Sequence, residues 1–229
     1  MGIVSCVWQA LSNIRKLNIH SALAFAGMAG PIVLAVTDIT ASFTNPDYSL
    51  VRDSISSLAL TRLGWLQTIG FLAIGLLVEI FVAGLLFNIK RGRGFHFSIG
   101  LLVFFGFGLL LIGAFRTDPV GWPDTIEGTI HGLTASGVFW IFPIAILVIA
   151  PSLKNDPKWK GIFVYTIVAG ILALVLVIVI GVIRDDISWF GLLERLLVAN
   201  MIIWVEVAAV KLLCLSVNRG VKNGSQESG

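Results

Sequence analysis

The chain has 229 residues, of which 57% are hydrophobic and only 13% are charged, and its mean hydropathy is +0.95. A soluble domain carries about 25% charged residues, and at this length it has too much surface to hide so many apolar side chains, so the composition excludes a water-soluble globular protein. The net charge of +3 does not indicate a nucleic-acid partner, because the basic residues fall in short segments between apolar runs, as in membrane proteins.

Six apolar stretches are each long enough for a membrane-crossing helix, which needs roughly 20 residues. In chain order they cover residues 22–41, 65–87, 95–115, 129–150, 162–183 and 190–213. Lipid offers the backbone no hydrogen-bond partners, and these runs are too long and unbroken for barrel strands. The sequence therefore predicts an all-α membrane protein, a six-transmembrane-helix bundle. We expect residues 1–217 to form this membrane domain and the polar residues 218–229 to form a cytoplasmic tail.

The basic residues also predict an orientation. Eleven of the 16 lysines and arginines lie on the side that carries both termini, and all the lysines are among them. Cytoplasmic loops of membrane proteins are enriched in lysine and arginine. We therefore expect a multi-pass protein of the cell membrane with both termini in the cytoplasm.

Each of the three predicted outer connections combines arginine with aspartate. Arg184-Asp185-Asp186 lies in the third, and Glu194-Arg195 opens the last span. We expect Glu194 and Arg195, one turn after Trp189, to point into the bundle or a wet vestibule rather than at lipid. Ionisable groups at membrane depth are candidates for function. The candidate ligand-binding residues are Arg52, Asp53, Ser56, Arg116, Asp118, His131, Glu194 and Arg195. The alternative is a set of ion pairs that tie helix ends together without any ligand.

His131 is the histidine predicted on the outer side, and it could act as an acid or base beside Asp118 or Glu194. These three residues are the catalytic candidates. The alternative for His131 is a hydrogen-bonded histidine at the membrane interface. A catalytic zinc site uses about three protein ligands, so one outer histidine with two cysteines in the whole chain predicts no metal and no cofactor.

Two glutamates, Glu79 and Glu206, are predicted at nearly equal depth inside the second and sixth spans, from a rise of 1.5 Å per residue. Glu206 shares a helical face with Arg195, because eleven residues make almost three turns. One interpretation is a proton or ion pathway. The other is a pair of protonated side chains that hydrogen-bond neighbouring helices.

Three short motifs of this sequence resemble motifs of one protein family. They are RDSISSL at residues 52–58, preceded by Tyr48 and followed by Gly64-Trp65; FRTDP at 115–119 with His131; and GLLER at 191–195. Their order and spacing resemble the membrane proteins of the domain-of-unknown-function 998 (DUF998) family over all six spans. The resemblance implies a six-helix bacterial or archaeal membrane protein, and it brings no established reaction.

Several functions remain open on these residues. The first is a polar outer vestibule that binds a lipid headgroup or a small polar ligand, with membrane lipid as the expected partner and nucleic acid excluded. The alternatives are a lipid-modifying enzyme that uses His131 and carboxylates, a small proton-coupled transporter that uses Glu79 and Glu206, and an accessory or structural subunit. No nucleophile or metal motif supports the enzyme. Protein partners and oligomeric state are not predicted.

Overall fold

The structure, a computed structural model, describes residues 18–182 and 188–226, with side chains as far as residue 217. Its long helices are α1 (Ile19–Phe43), α2 (Gly64–Asn88), α3 (Phe95–Ala114), α4 (Ile126–Asn155), α5 (Phe163–Val182) and α6 (Phe190–Gln226). Two 3-10 helices, Ser56–Leu60 and Lys160–Ile162, lie in the connections. Each long helix can cross a membrane, α6 through Phe190–Val217, and the described residues contain no strand. The predicted six-helix membrane fold is confirmed.

The helices extend beyond the predicted apolar runs where polar residues cap them. The side chain of Asn18 accepts a hydrogen bond of 3.0 Å from the Ser21 amide, so α1 begins before the apolar run. Thr125 caps α4 in the same way through the Gly128 amide. The backbone of α6 is helical to Gln226; the division into a membrane domain and a tail after residue 217 stays a prediction.

The helices form a ring in chain order, because each packs mainly against its sequence neighbours and α1 packs against α6. Short connections make neighbouring helices antiparallel, so the ring closes with little cost in loop entropy. Aromatic side chains fill its middle: Phe142 of α4 lies 4.8 Å from Phe105 of α3 and 5.7 Å from Trp204 of α6, between ring centroids. The core therefore lies on the axis of the ring.

Glycines allow close approach at some helix contacts and not at others. A Cβ at Gly27 would lie 2.8 Å from the Cβ of Ala209, and one at Gly75 would lie 2.8 Å from the backbone nitrogen of Leu110. The sequence also predicts a packing stripe of small residues in the fourth span, at Gly128, Gly132 and Ser136. This expectation is wrong at Gly132, because a Cβ there would meet no atom within 4 Å.

The two ends of the ring differ in how their connections are held. The Arg195 end carries the α1–α2, α3–α4 and α5–α6 connections. The Asp156 end carries the α2–α3 and α4–α5 connections. At the Asp156 end, the buried Asp156 carboxylate accepts 2.8 Å hydrogen bonds from the Lys90 and Lys158 amides. Trp159 is fully buried and donates to the Asn88 carbonyl at 2.9 Å. The amphipathic ring of Trp159 also predicts a position at the level of the membrane interface, and this stays a prediction.

Candidate functional site

Arg195 is the centre of the polar contacts at the Arg195 end. It lies in the second turn of α6, and its Nη1 donates hydrogen bonds to the carbonyls of Leu50 (3.1 Å), Asp53 (2.9 Å) and Gly191 (3.1 Å). Its Nη2 donates to the Tyr48 hydroxyl. The planar guanidinium, with donors in fixed directions, suits this role. Arg195 therefore holds the α1–α2 connection onto α6.

Tyr48 and Asp38 complete the surroundings of Arg195. The guanidinium carbon lies 5.3 Å from the centroid of the Tyr48 ring, and Nη2 lies 3.7 Å from Asp38 Oδ1. The Tyr48 hydroxyl donates in turn to the carbonyl of Ser54 at 2.7 Å. Burial raises the pKa of Tyr48 to about 12, although Arg195 acts in the opposite direction. The Arg195 side chain is only 16% exposed, and both of its Nη groups donate within the protein, while its buried Nε has no hydrogen-bond partner among the described residues.

Arg52 and Asp53 pair with each other at the surface. Arg52 Nε and Nη2 donate to the two oxygens of Asp53 at 2.8 and 3.2 Å. The Ser49 amide also donates to the Asp53 carboxylate, at 2.8 Å. The hydrogen bond from Arg52 lowers the pKa of Asp53. This pair shapes the turn that contains it, and a ligand at Arg52 would compete with Asp53.

Glu194 faces the interior from the adjacent position on α6. It is 6% exposed, and its Oε2 accepts a 2.7 Å hydrogen bond from the amide of Ile55. The next residue of the connection, Ser56, is also buried. The neighbouring helix turn packs on the same connection, because the Leu192 amide donates to the Val51 carbonyl at 2.9 Å. Glu194 and Arg195 thus both point into the protein, as the sequence predicts.

A second group of the candidate residues lies at the start of α4. Asp118 accepts hydrogen bonds from the amide and the hydroxyl of Thr125, at 2.7 and 2.8 Å. Glu127 accepts from the Arg116 amide at 2.8 Å, and its carboxylate lies 3.8 Å from Arg116 Nε. These contacts fix the α3–α4 connection on the first turn of α4, where carboxylates also interact favourably with the helix dipole.

His131 is buried in α4, and its Nδ1 lies 2.7 Å from the carbonyl oxygen of Phe115. That contact anchors the end of α3 on α4. Among the described residues, His131 makes no hydrogen bond or ion pair with Asp118 or Glu194. This contact agrees with the hydrogen-bonded histidine at the membrane interface, and a role of His131 as an acid or base stays a prediction.

The eight candidate ligand-binding residues therefore form two groups rather than one ring of contacts. Hydrogen bonds join Arg52, Asp53, Glu194 and Arg195 through the α1–α2 connection, and Ser56 follows Ile55 there. Arg116, Asp118 and His131 belong to the α3–α4 connection. Arg184, Asp185 and Asp186, of the third connection, lie outside the described residues.

Two grooves and one smaller axial cavity accompany these groups. Each groove has a volume of about 230 Å³. One is lined by Thr44, Asn45, Arg62 and Leu63, and the other by Ala59, Trp65, Thr68, Gly113, Ala114 and Arg116. The cavity, of about 40 Å³, lies on the ring axis beneath Ser56 and Glu194. Only the grooves approach the size of a small-ligand site, which is roughly 300 Å³ or more.

The structure places Glu79 and Glu206 against different parts of the ring. Glu79 faces α3, because a Cβ at Gly106 would lie 2.7 Å from its Oε1. Glu206 lies on α6, whose main neighbours are α1 and α5. Both side chains are half-buried, and each has one carboxyl oxygen without a partner among the described residues. No hydrogen bond or ion pair between described residues joins the two glutamates.

Two polar residues of this end are absent from the candidates taken from the sequence. Asp38 lies inside the first apolar run, where a charge signals a partner. Gln67 is fully buried near the start of α2, and both polar atoms of its amide are without hydrogen-bond partners among the described residues. Gln67 carries no charge and follows the Gly-Trp entry of the span, so nothing in the sequence marks it.

The family comparison agrees with this architecture. The model of the family described as "Protein of unknown function (DUF998)" matches residues 28–211, which include most of the membrane-spanning part of the chain. No curated protein and no solved structure shows significant similarity to the chain. With six helices able to span a membrane and a family match over most of its length, the chain is a multi-pass membrane protein that belongs to the DUF998 family.

Proposed function

We propose that this protein binds the anionic headgroup of a membrane lipid at its Arg195 end, and that this end faces the outside of the cell membrane with both termini in the cytoplasm. The observation that carries the proposal is the groove between the start of α2 and the end of α3. It is open, its volume is about 230 Å³, and Arg116 and Trp65 line it.

Arg116 is the candidate residue best placed to meet a ligand. Its side chain is 62% exposed. The Glu127 carboxylate lies 3.8 Å from its Nε, too far for a hydrogen bond, and among the described residues no acceptor is hydrogen-bonded to its two Nη atoms. An arginine with free Nη groups binds a phosphate through two parallel hydrogen bonds. Arg195, in contrast, has its Nη donors occupied.

The rest of the groove supports a lipid over a free solute. Trp65 is 58% exposed at the start of α2, and tryptophan prefers the level of lipid headgroups. The small residues Gly113 and Ala114 line the groove beside it. Helices α2 and α3 continue from this point into the membrane, so an acyl chain can follow their exposed apolar surface. Asp118 and His131, which belong to the same connection as Arg116, position the arginine in this proposal.

The test is lipid binding by the intact protein in detergent micelles, measured by native mass spectrometry with phosphatidylglycerol and with phosphatidylcholine. We expect a preference for phosphatidylglycerol that Arg116→Gln lowers by about fivefold, which corresponds to about 1 kcal/mol for one basic residue near a lipid surface. The preference should also weaken as salt concentration rises.

Arg52→Gln is the matched control, because its side chain is similarly exposed, at 55%, but is hydrogen-bonded to Asp53. We expect that variant to keep the lipid preference. Equal binding of the two lipids by the native protein, or equal loss in the two variants, contradicts the proposal. The orientation is tested separately, with reporter fusions at the C-terminus that are active only inside or only outside the cell.

A further inference from the structure

The axial cavity has a polar end that no assigned function uses. Its walls include Leu34 of α1, Phe71 of α2 and Val198 of α6, and Ser56 and Glu194 also line it. The Glu194 side chain is buried, and one of its carboxyl oxygens is hydrogen-bonded to Ile55. Among the described residues, the other oxygen has no hydrogen-bond partner. A carboxyl oxygen at the wall of a cavity can take part in a further hydrogen bond there.

Helix geometry places two more polar side chains at the same end. Residues four apart lie one above the other on a helix face. Asp38 is therefore one turn beyond Leu34, and Gln67 is one turn beyond Phe71, both toward the Arg195 end. Neither residue is part of the cavity wall itself. Both amide atoms of Gln67 and Oδ1 of Asp38 are buried without hydrogen-bond partners in the described part of the chain, and Asp38 Oδ1 lies 3.7 Å from Arg195 Nη2. A buried polar group of this kind destabilises the folded protein unless something bonds to it.

We propose that ordered water occupies the axial cavity and hydrogen-bonds Glu194, Ser56, Gln67 and Asp38. Water both donates and accepts, as a set made of two carboxyl groups, a hydroxyl and an amide requires. The volume of about 40 Å³ is enough for roughly one to three water molecules and is well below that of a small-molecule site. This hydrated site lies inside the ring and is independent of the lipid groove at Arg116.

Hydroxyl-radical labelling by X-ray radiolysis of the intact protein in micelles tests the proposal, because radicals form where water is present. Phe105 and Met201 line the cavity and are each 3% exposed. Phe81 and Phe95 are as deeply buried, at 1% and 0%, and do not line it. We expect severalfold faster labelling of Phe105 than of Phe81 and Phe95, with Met201 labelled as well. Equal rates at the three phenylalanines overturn the proposal.

Two variants make the result specific to the cavity. Ala135→Leu fills part of it, and we expect labelling of Met201 to fall while that of Phe81 stays constant. Gln67→Leu removes the buried amide. If water bonds to that amide, its loss lowers the apparent melting temperature, whereas an amide without any partner gives a higher melting temperature when removed. A higher melting temperature for Gln67→Leu therefore also overturns the proposal, even if Ala135→Leu does not fold.

Discussion

Replacing Arg195 with glutamine should destabilise the protein more than any other single change at the Arg195 end. The guanidinium donates four hydrogen bonds, three of them to backbone carbonyls on two segments, and it lies 3.7 Å from the Asp38 carboxylate. Glutamine is shorter and offers one amide group, so it cannot reach these acceptors together.

The magnitude follows from burial. A hydrogen bond that involves a charged group contributes about 1.5–3 kcal/mol, but bonds from one side chain are not additive. Breaking a buried ion pair by removing one partner costs about 3–5 kcal/mol, because the other charge is left without compensation. Since the side chains of Arg195 and Asp38 are only 16% and 19% exposed, we expect a loss of about 3–5 kcal/mol.

The assay is thermal unfolding in detergent, followed by tryptophan fluorescence, together with limited proteolysis of the α1–α2 connection. The expected fall in melting temperature is of order 10 °C. Arg195→Lys keeps the charge but not the planar set of donors, so its melting temperature should lie between those of the native protein and Arg195→Gln. Arg52→Gln, at an exposed pair, should leave the melting temperature unchanged. If Arg195→Gln and Arg52→Gln have the same melting temperature, the contacts of Arg195 do not hold this connection.

Three further predictions concern other parts of the fold. Gly75→Ala should lower the melting temperature by several degrees, because its Cβ would meet the backbone of the facing helix, whereas Gly132→Ala should not lower it; equal effects would contradict the packing described for the ring. In the folded protein the pKa of Tyr48 is raised to about 12. The neutral Tyr48 side chain therefore contributes to the free energy of unfolding below about pH 10, and this contribution is lost as the pH rises toward 12. Absorbance at 295 nm in a Tyr165→Phe background should show a single tyrosine titrating above pH 10, and titration near pH 10 would refute this. Asp156→Asn keeps one acceptor for the two amides that bond to its carboxylate, so it should destabilise the protein less than Asp156→Ala in thermal unfolding.

Particular residues show why the membrane fold is readable from the sequence. The apolar runs specify six spans, because in lipid a helix of about 20 apolar residues satisfies its own backbone without help from the rest of the chain. The polar caps, such as Asn18 and Thr125, move helix ends by a few residues from the apolar limits. The prediction that Glu194 and Arg195 point inward is similarly local, since a charge near lipid must find a polar partner.

Tertiary structure decided the partners of these charges. The sequence places Asp118 and His131 in the same outer region as Glu194, but their hydrogen bonds go to Thr125 and to the Phe115 carbonyl within the α3–α4 connection. It also places Glu79 and Glu206 at one depth, while the ring turns Glu79 toward α3. Depth depends on position along a helix, whereas a partner depends on how each helix is rotated against its neighbours.

The sequence by itself therefore determined the membrane as solvent, the number of spans and the residues that must avoid lipid. Tertiary structure decided the closed ring, the occupied Nη donors of Arg195, the free Nη groups of Arg116 and the buried amide of Gln67. The physical reason is that solvent preference is a property of each segment, while hydrogen bonds between segments depend on the packing of the whole ring.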